Sequence, residues 1–357
     1  MKKLLAVLLA VIMLVALFAA CGATVNPDGD DLRTIEAGDQ DVVTATQNTG
    51  EKLLAIIIPK SVGGTWFARS EKGGMQWAMD TGNMSQMVGS NKSDVAVQVQ
   101  SIQDALALDP DFISVIPLSP EACETVFGEA MKNGVIVTTQ EGSTTQNVHA
   151  DIEAFNNADY GAHFFEKAQG MDGPWKKDKG KYNMFVQFLT APTHNQWADG
   201  LQAYVTKNYP QWELFGGSRI EAPTGEDVYA KVKEILQTDP DVDFWWGGNG
   251  GDPAAMGRAI DELGLNGKKF VTGTGMPRAT EALLFNGSVQ FCSFWDPFET
   301  QYVAWVVSSM ILDGGSVKTG DNMGRVGYNS VVVDGKVIMG AAWIDVTTEN
   351  YDKYNFI

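Results

Sequence analysis

The sequence predicts an α/β protein with two similar lobes, each a doubly wound parallel sheet covered by helices. Three observations lead to this fold class. Short β-rich runs alternate with amphipathic helical patterns from residue 52 onward, as in parallel sheets whose strands are joined by helices. One helix–turn–strand–loop–helix–strand unit occurs twice. The 357 residues also exceed what one hydrophobic core usually serves.

The first 20 residues have the pattern of an export signal. Lys2 and Lys3 precede the apolar residues 4–20, and Cys21 follows them. Residues 18–22, Phe-Ala-Ala-Cys-Gly, resemble the lipobox of bacterial lipoproteins, which implies a signal peptide over 1–20 and lipid attachment at Cys21. A retained membrane anchor is the alternative, and both interpretations place the rest of the chain outside the cytoplasmic membrane.

Residues 21–50 are predicted to be a disordered tether. Residues 22–50 carry six acidic side chains against one basic side chain and few large apolar groups, so they cannot bury enough surface to fold. The folded part is therefore expected to begin near residue 51.

Composition excludes several classes of function. Acidic residues outnumber basic ones 44 to 26, and the net charge of −18 opposes binding to nucleic acid. Three cysteines cannot form a disulfide framework, and Cys123 and Cys292 fall in apolar patterns typical of buried thiols, although a bridge between them stays open. The three histidines have no i,i+4 spacing, so no metal site is predicted.

The alternation can be followed element by element. The predicted strands are 53–59, 112–117, 135–139, 182–189, 244–246, 270–273 and 289–295. The predicted helices are 66–81, 94–108, 120–133, 195–208, 227–237, 253–263 and 278–285. Ser119-Pro120 and Asp252-Pro253 each combine an N-cap oxygen with a proline in the first helical turn.

The repeated unit predicts that the two lobes share one topology. In the first copy, a helix ends at Asp109-Pro110-Asp111, a strand follows, and Ser119-Pro120 opens the next helix. In the second copy, Asp239-Pro240-Asp241 and Asp252-Pro253 stand at the same places. Each copy then continues through Asn-Gly into another β-rich run. Chance recurrence of common turn residues is the alternative, but the matching order of four elements favours duplication.

Because open parallel sheets bind ligands beyond the carboxyl ends of their strands, the loops there are expected to line a cleft between the lobes. These loops carry amides, carboxylates, a lysine and large aromatic residues, a composition suited to a small polar ligand. They are 59–60, 140–141, 190–195, 247–252, 274–277 and 295–296.

Residues 51–357 resemble the type I periplasmic binding proteins of bacterial ABC importers, and most closely the autoinducer-2 receptor and rhamnose-binding branch. The resembling segments are Ile58-Pro59-Lys60, Asn195-Gln196-Trp197, Trp295-Asp296, residues 312–321 and residues 350–354. The resemblance implies three crossovers between the lobes, expected near Asn156, Pro297 and Arg325. Lobe 1 would then comprise residues 51–155 and 298–325, and lobe 2 residues 156–297 and 326–357.

The same resemblance informs the choice of ligand. Lys60 stands where the autoinducer-2 receptor pattern has its lysine, and Glu141 where it has an aspartate. The Asp-Gln pair of that pattern maps onto Thr193-His194, and its later proline and alanine map onto Gly247 and Asn249. Only one of six polar contact positions is retained, and buried polar sites discriminate sharply when a partner is lost. An ordinary neutral sugar is therefore expected, with autoinducer-2 as the alternative.

Ten residues are predicted to contact the ligand. Trp66, Phe67 and Trp295 are candidates for stacking on the apolar face of a sugar, although aromatic residues also fill cores. Glu141 could accept two hydroxyl hydrogen bonds, and Lys60 could donate to a ligand oxygen or pair with Glu141 across the cleft. The remaining candidates lie at helix starts and in loops after strands: His194, Asn195, Asn249, Asp252 and Asp296. Simple capping is the alternative for Asn195 and Asp252.

The glycine-rich segment 247–252 lacks the Gly-x-x-x-x-Gly-Lys pattern of a phosphate-binding loop, so nucleotide binding is not expected. No nucleophile–base pair or acid–base carboxylate pair stands out, so neither an enzyme nor a cofactor is predicted. The sequence instead predicts a monomeric, lipid-anchored binding protein that closes around a sugar and delivers it to an ABC permease. A sensor for a chemoreceptor or histidine kinase and an exported carbohydrate-active enzyme are the alternatives.

Overall fold

A seven-stranded sheet forms the centre of lobe 1. The computed structural model describes residues 50–189 and 192–356. Its strands are β1 (Leu54–Ile58), β2 (Met84–Met87), β3 (Phe112–Val115), β4 (Ile136–Thr139), β5 (Ala150–Glu153), β12 (Val332–Asp334) and β13 (Val337–Met339). The strand order is β12-β13-β5-β4-β3-β1-β2, parallel except for the β12–β13 pair. The helices of this lobe are α1 (Thr65–Thr81), α2 (Val95–Leu106), α3 (Pro120–Lys132) and α9 (Pro297–Leu312).

Lobe 2 contains a second parallel sheet. Its strands are β6 (Gly180–Val186), β7 (Trp212–Leu214), β8 (Ile220–Glu221), β9 (Val242–Gly247) and β10 (Phe270–Gly273). They lie in the order β10-β9-β6-β7, with β8 also paired to β6. An antiparallel pair, β11 (Cys292–Phe294) and β14 (Ile344–Val346), lies beside them. The helices are α4 (Asn157–Gly170), α5 (Pro192–Asn208), α6 (Gly225–Thr238), α7 (Asp252–Glu262) and α8 (Pro277–Phe285).

The α/β fold class predicted from the alternation is confirmed, and every predicted strand and helix has a counterpart. The repeated unit corresponds to α2-β3-α3-β4 in lobe 1 and α6-β9-α7-β10 in lobe 2. Within each copy the two strands are parallel neighbours. The central strands β3, β4, β9 and β10 are buried along their whole length, as strands covered by helices on both faces must be.

Local capping explains where the helices begin. Ser119 caps α3 and Pro120 occupies its first turn, as predicted. The prediction that Asp252 caps α7 is wrong in register: Gly251 is the N-cap, and Asp252 is the first helical residue. Its carboxylate accepts a hydrogen bond from the backbone N–H of Asn249 at 2.9 Å, so it closes the preceding loop instead.

The chain passes between the lobes three times. Two crossings follow β5 and β11, next to the predicted positions Asn156 and Pro297. The third lies between Met339 and Ile344, so its prediction near Arg325 is wrong and residues 326–339 belong with lobe 1. The reason is that β13 adds to the open edge of β5 in parallel register before the chain crosses, and β14 then pairs with β11 in lobe 2.

Cys123 and Cys292 are both buried and free, which settles the alternative of a bridge between them. In residues 50–189 and 192–356, none of the helices combines the length and the apolar character that crossing a membrane requires. The predicted signal peptide, the lipid-attachment site Cys21 and all of the predicted tether except Gly50 lie outside the described residues.

Candidate functional site

The carboxyl ends of the strands of both lobes border one cavity of about 440 Å³. Residues of lobe 1 and of lobe 2 line it together, and two contacts cross it. The hydroxyl of Thr193 donates to the backbone carbonyl of Glu141 at 3.5 Å, and the Thr65 hydroxyl lies 3.7 Å from the Met276 sulfur. The cavity is large enough for a small ligand that contacts both lobes.

Lys60 and Glu141 form an ion pair at the lobe 1 side of the cavity. Lys60 follows β1 and Glu141 follows β4, and Lys60 Nζ donates to Glu141 Oε2 at 2.6 Å. Because both residues extend from the same sheet, the pair lies within lobe 1. The expectation that it would bridge the cleft is therefore wrong. The pair supplies polar atoms to the cavity while its two charges cancel.

The backbone of Glu141 is held in an uncommon conformation. Its φ of +55° lies in the left-handed region, which non-glycine residues rarely adopt without support from their surroundings. The support comes from the next residue, since Gly142 N–H donates to Asp151 Oδ1 at 3.0 Å. Thr139, at the end of β4, donates its hydroxyl to the same oxygen at 2.7 Å. Asp151 therefore fixes the direction in which the Glu141 side chain leaves the sheet.

Aromatic side chains form one wall of the cavity. Trp66, near the start of α1, meets Trp295 edge to face with 4.8 Å between ring centroids. Trp295 also packs edge to face against Trp197, at 5.8 Å. Trp295 is only 6% exposed, whereas Trp66 and Phe67 are half-buried and line the cavity. These half-buried rings offer a surface that a ligand can cover.

His194 lines the cavity from α5 in lobe 2. Its pKa is lowered to about 4, first because burial disfavours the charged ring and then because Lys60 is nearby. The ring stacks on Trp197 with centroids 5.3 Å apart, and within the described part of the chain Nδ1 has no hydrogen-bond partner. At neutral pH, His194 is therefore an uncharged ring whose Nδ1 is buried and unpaired among the described residues.

Asn195 and Asp252 are predicted ligand contacts that the structure places outside the cavity lining. The amide of Asn195 donates to the carbonyls of Phe188 and Leu189 at 3.0 and 3.2 Å, and its side-chain oxygen accepts from Arg219. Asp252 is fully buried beneath the loop that carries Asn249. Both residues shape loops whose other members reach the cavity.

The glycine run 247–251 has a structural cause at one position. A Cβ on Gly247 would lie 2.3 Å from the Cβ of Asp252, so only glycine fits there. Gly250 and Gly251 face open space. Asn249, Gly248, Gly250 and Gly251 line the cavity. The tight packing of Asp252 under Gly247 is therefore what brings this backbone to the cavity edge.

Asp296 also lies outside the cavity lining. It belongs to the segment between β11 and α9, where the chain passes between the lobes for the second time. Its carboxylate accepts hydrogen bonds from Nε and Nη2 of Arg69 at 3.0 and 2.8 Å. The same side chain caps α9 by accepting a hydrogen bond from Phe298 N–H at 3.0 Å. Arg69 belongs to α1 of lobe 1, so this bidentate pair attaches the crossing segment to lobe 1. The residue positions the neighbouring Trp295.

Of the ten predicted residues, the structure brings seven to the cavity: Lys60, Trp66, Phe67, Glu141, His194, Asn249 and Trp295. Several lining residues escaped prediction: Ser61, Ser93, Leu118, Pro120, Phe188 and Trp197. Leu118 could have been found, because it follows β3 as Lys60 follows β1. The side chain of Trp197 is directed into the cavity wall by helix packing, for which the sequence carries no signal.

The lining combines a neutralised ion pair, an uncharged histidine, an amide and several aromatic rings. Such a surface can cover the C–H face of a small uncharged molecule and hydrogen-bond to its polar rim. Within the described residues, no group of three or more His, Cys, Asp or Glu side chains is arranged to hold a metal ion. The arrangement is suited to binding.

Comparison with known proteins gives a family match over most of the chain. The family described as periplasmic binding protein domain matches residues 55–316. This range includes both copies of the repeated unit and every residue named above as lining the cavity.

Solved structures with the same fold are similar over nearly their whole length. LsrB from Clostridium saccharobutylicum in complex with AI-2 has 19% identity and a TM-score of 0.72, covering 85% of this chain and 99% of that one. An ABC transporter solute binding protein from Clostridium phytofermentas with bound L-rhamnose has 17% identity and a TM-score of 0.72, covering 86% and 99%. GanP, a glucose-galactose binding protein from Geobacillus stearothermophilus, has 17% identity and a TM-score of 0.71, covering 84% and 99%.

Proposed function

Because this chain belongs to the periplasmic binding protein domain family, we propose that it captures a small neutral sugar outside the cytoplasmic membrane for an ABC importer. The sugar binds between the lobes and stabilises their closed arrangement through contacts with both. The permease then recognises the closed form. The protein binds and releases its ligand unchanged.

One observation carries the proposal: a single cavity of about 440 Å³ is lined from both lobes by aromatic rings and by polar groups with little net charge. A neutral sugar needs an apolar surface for its ring face and hydrogen-bonding groups for its hydroxyls. Trp66 and Phe67 supply the first. The Lys60–Glu141 pair, His194 and Asn249 supply the second without attracting an ionic ligand.

AI-2 is the second candidate ligand, because LsrB with AI-2 is among the structures similar to this chain. The residues favour the sugar. Of the positions that resemble the autoinducer-2 receptor pattern, Lys60 alone keeps the same residue, and Glu141 is one methylene longer than the aspartate of that pattern. Thr193 and His194 replace its Asp-Gln pair, which removes a carboxylate from the lobe 2 side.

The test is a thermal-shift and calorimetric screen of the protein against neutral monosaccharides, sugar alcohols and AI-2. A ligand that binds the folded form raises its melting temperature by mass action. We expect stoichiometric binding of one sugar without turnover. Product release during incubation with oligosaccharides would instead indicate an enzyme, and binding of AI-2 alone would indicate the second candidate.

The export signal and Cys21 extend the proposal to a lipid-anchored, monomeric protein on the outer side of the cytoplasmic membrane. Replacing Cys21 with alanine is expected to move the protein from the membrane fraction to the soluble fraction. Continued membrane retention of that variant would support an uncleaved anchor. Loss of sugar uptake on deletion of an adjacent permease gene would distinguish transport from a sensing role.

A further inference from the structure

A second and much smaller cavity adjoins the aromatic side chains of the cleft. Its volume is about 10 Å³, which is room for one oxygen atom the size of a water molecule. Trp66, Phe67, Glu141, Trp197 and Trp295 line both this inner cavity and the larger one. The two spaces therefore adjoin at these five side chains.

Glu153, the last residue of β5, lines the inner cavity and is only 4% exposed. Its Oε1 has no hydrogen-bond partner among residues 50–189 and 192–356. The other polar residues of this cavity are already engaged. The amide of Gln140 donates to Gln301 Oε1 at 2.7 Å, and the Thr300 hydroxyl accepts from Tyr328 at 2.9 Å. An unpaired buried polar atom costs free energy. A hydrogen-bond donor that reached Glu153 would therefore be favourable.

The protonation state of Glu153 follows from its neighbours. Burial raises the pKa of Glu153 well above its usual range, and the nearby carboxylates of Asp151 and Glu141 raise it further, while Lys60 acts in the opposite direction. Asp151 lies two residues earlier on the same strand face. A carboxyl group keeps an oxygen that can accept a hydrogen bond whether or not it carries a proton.

We propose that Glu153 is a specificity-determining residue: it accepts a hydrogen bond from one hydroxyl group of the bound sugar, which enters the inner cavity. The inference rests on the proposed function and narrows its ligand class. A hydroxyl oxygen matches the 10 Å³ of space and supplies the missing donor. A sugar that lacks this hydroxyl would leave Glu153 unpaired, and sites of this kind reject such analogues strongly.

The experiment compares Glu153 variants by calorimetry. The wild-type protein is first titrated with L-rhamnose, D-arabinose, D-glucose and D-galactose, and then with each monodeoxy analogue of the sugar that binds most tightly. Glu153→Met removes the acceptor at similar volume, and Glu153→Asp withdraws the carboxyl by one methylene. Glu153→Gln keeps an oxygen that can accept a hydrogen bond from the sugar. The control is Asp243→Asn. Asp243 is a buried acid at the amino end of β9, whereas the cavity lies at the carboxyl ends of the strands.

We expect the Met and Asp variants to lose at least tenfold in affinity for the parent sugar, and the Gln and Asp243→Asn variants to stay within about threefold of the wild type. In the wild type, one monodeoxy analogue should bind at least tenfold more weakly than the parent sugar. In Glu153→Met, the same analogue and the parent sugar should bind equally well. Melting temperatures identify any variant that fails to fold, and the Asp variant then decides the result.

Equal losses for every deoxy analogue in wild type and variants would overturn the role of Glu153 and leave the proposed function intact. If the wild type binds none of the four sugars, the proposed function fails for them, and the role of Glu153 fails with it. The two failures are therefore separable, since the first appears only in the variants and the second already in the wild type.

Discussion

Replacing Trp66 with alanine should weaken sugar binding by roughly two orders of magnitude while the fold persists. An aromatic residue buries about 200 Å² when fully covered. Trp66 is half-buried and its edge contact with Trp295 takes up part of the ring, which leaves roughly 100 Å² for a ligand at this level of burial. At about 25 cal/mol per Å² this area corresponds to about 2.5 kcal/mol, or roughly 70-fold in Kd.

The same substitution removes the contact between Trp66 and Trp295, whose ring centroids lie 4.8 Å apart. That contact is worth about 1 kcal/mol of folding stability, well below the total for a domain of this size. Isothermal titration calorimetry with the best sugar measures the affinity, and a thermal melt checks folding. Trp66→Phe keeps part of the surface and should lose about tenfold, since it keeps about half of the 2.5 kcal/mol.

Phe285→Ala provides the matched control. This aromatic residue ends α8, is 59% exposed and lies outside the cavity lining, so its removal should leave the sugar affinity unchanged. A folded Trp66→Ala protein with a Kd within twofold of the wild type would refute the reasoning. Trp66 would then be a wall of the core and not a stacking surface.

Three further predictions concern the ion pair, the helix packing and the buried carboxyl. Lys60→Met and Glu141→Gln should each destabilise the protein. The double variant should be about 1–2 kcal/mol more stable than the sum of the two single losses predicts, as measured by a double-mutant cycle in urea unfolding. Strict additivity of the two losses would contradict the pairing. Gly161→Ala should lower the free energy of unfolding by about 2–3 kcal/mol, since the new Cβ would lie 1.8 Å from a backbone oxygen of α5. Gly170→Ala has open space around it and should not destabilise the protein. Equal unfolding midpoints for both variants would argue against this close packing. Burial raises the pKa of Asp252 to about 7, so the folded form holds an extra proton between pH 4 and 7 and stability falls as pH rises through that range. Asp252→Asn should therefore gain about 4 kcal/mol relative to the wild type between pH 4 and pH 8 in urea unfolding, and a pH-independent difference would exclude the titration.

Side-chain direction separates the site residues that sequence reasoning could place from those it could not. His194 and Asn195 are adjacent at the start of α5, yet His194 lines the cavity while Asn195 bonds to the carbonyls of Phe188 and Leu189. One residue along a helix turns the side chain by about 100°. The helix boundary is uncertain by one or two residues in a sequence, so such neighbours cannot be distinguished there.

The missed elements have a similar origin. Helix α9 is buried on nearly every face, so its sequence shows no polar stripe and no helical period. The pairing of β13 with β5 joins residues 337–339 to residues 151–153 across the whole of lobe 2 in sequence. Backbone pairing of this kind does not depend on side-chain identity, so the position of the third crossing was not encoded in any local pattern.

Local chemistry was enough to establish the α/β class, the duplicated unit and the strand edge at which a ligand site forms, because periodicity and turn residues act over a few positions. Tertiary contacts decided which residues face that site. The hydrogen bond from Gly142 to Asp151 directs Glu141, and the bidentate bond from Arg69 holds Asp296 away from the cavity. The position of β5 places Glu153 in the lining of the small inner cavity. These outcomes depend on groups far apart in the chain, whose distances exist only once both lobes have folded.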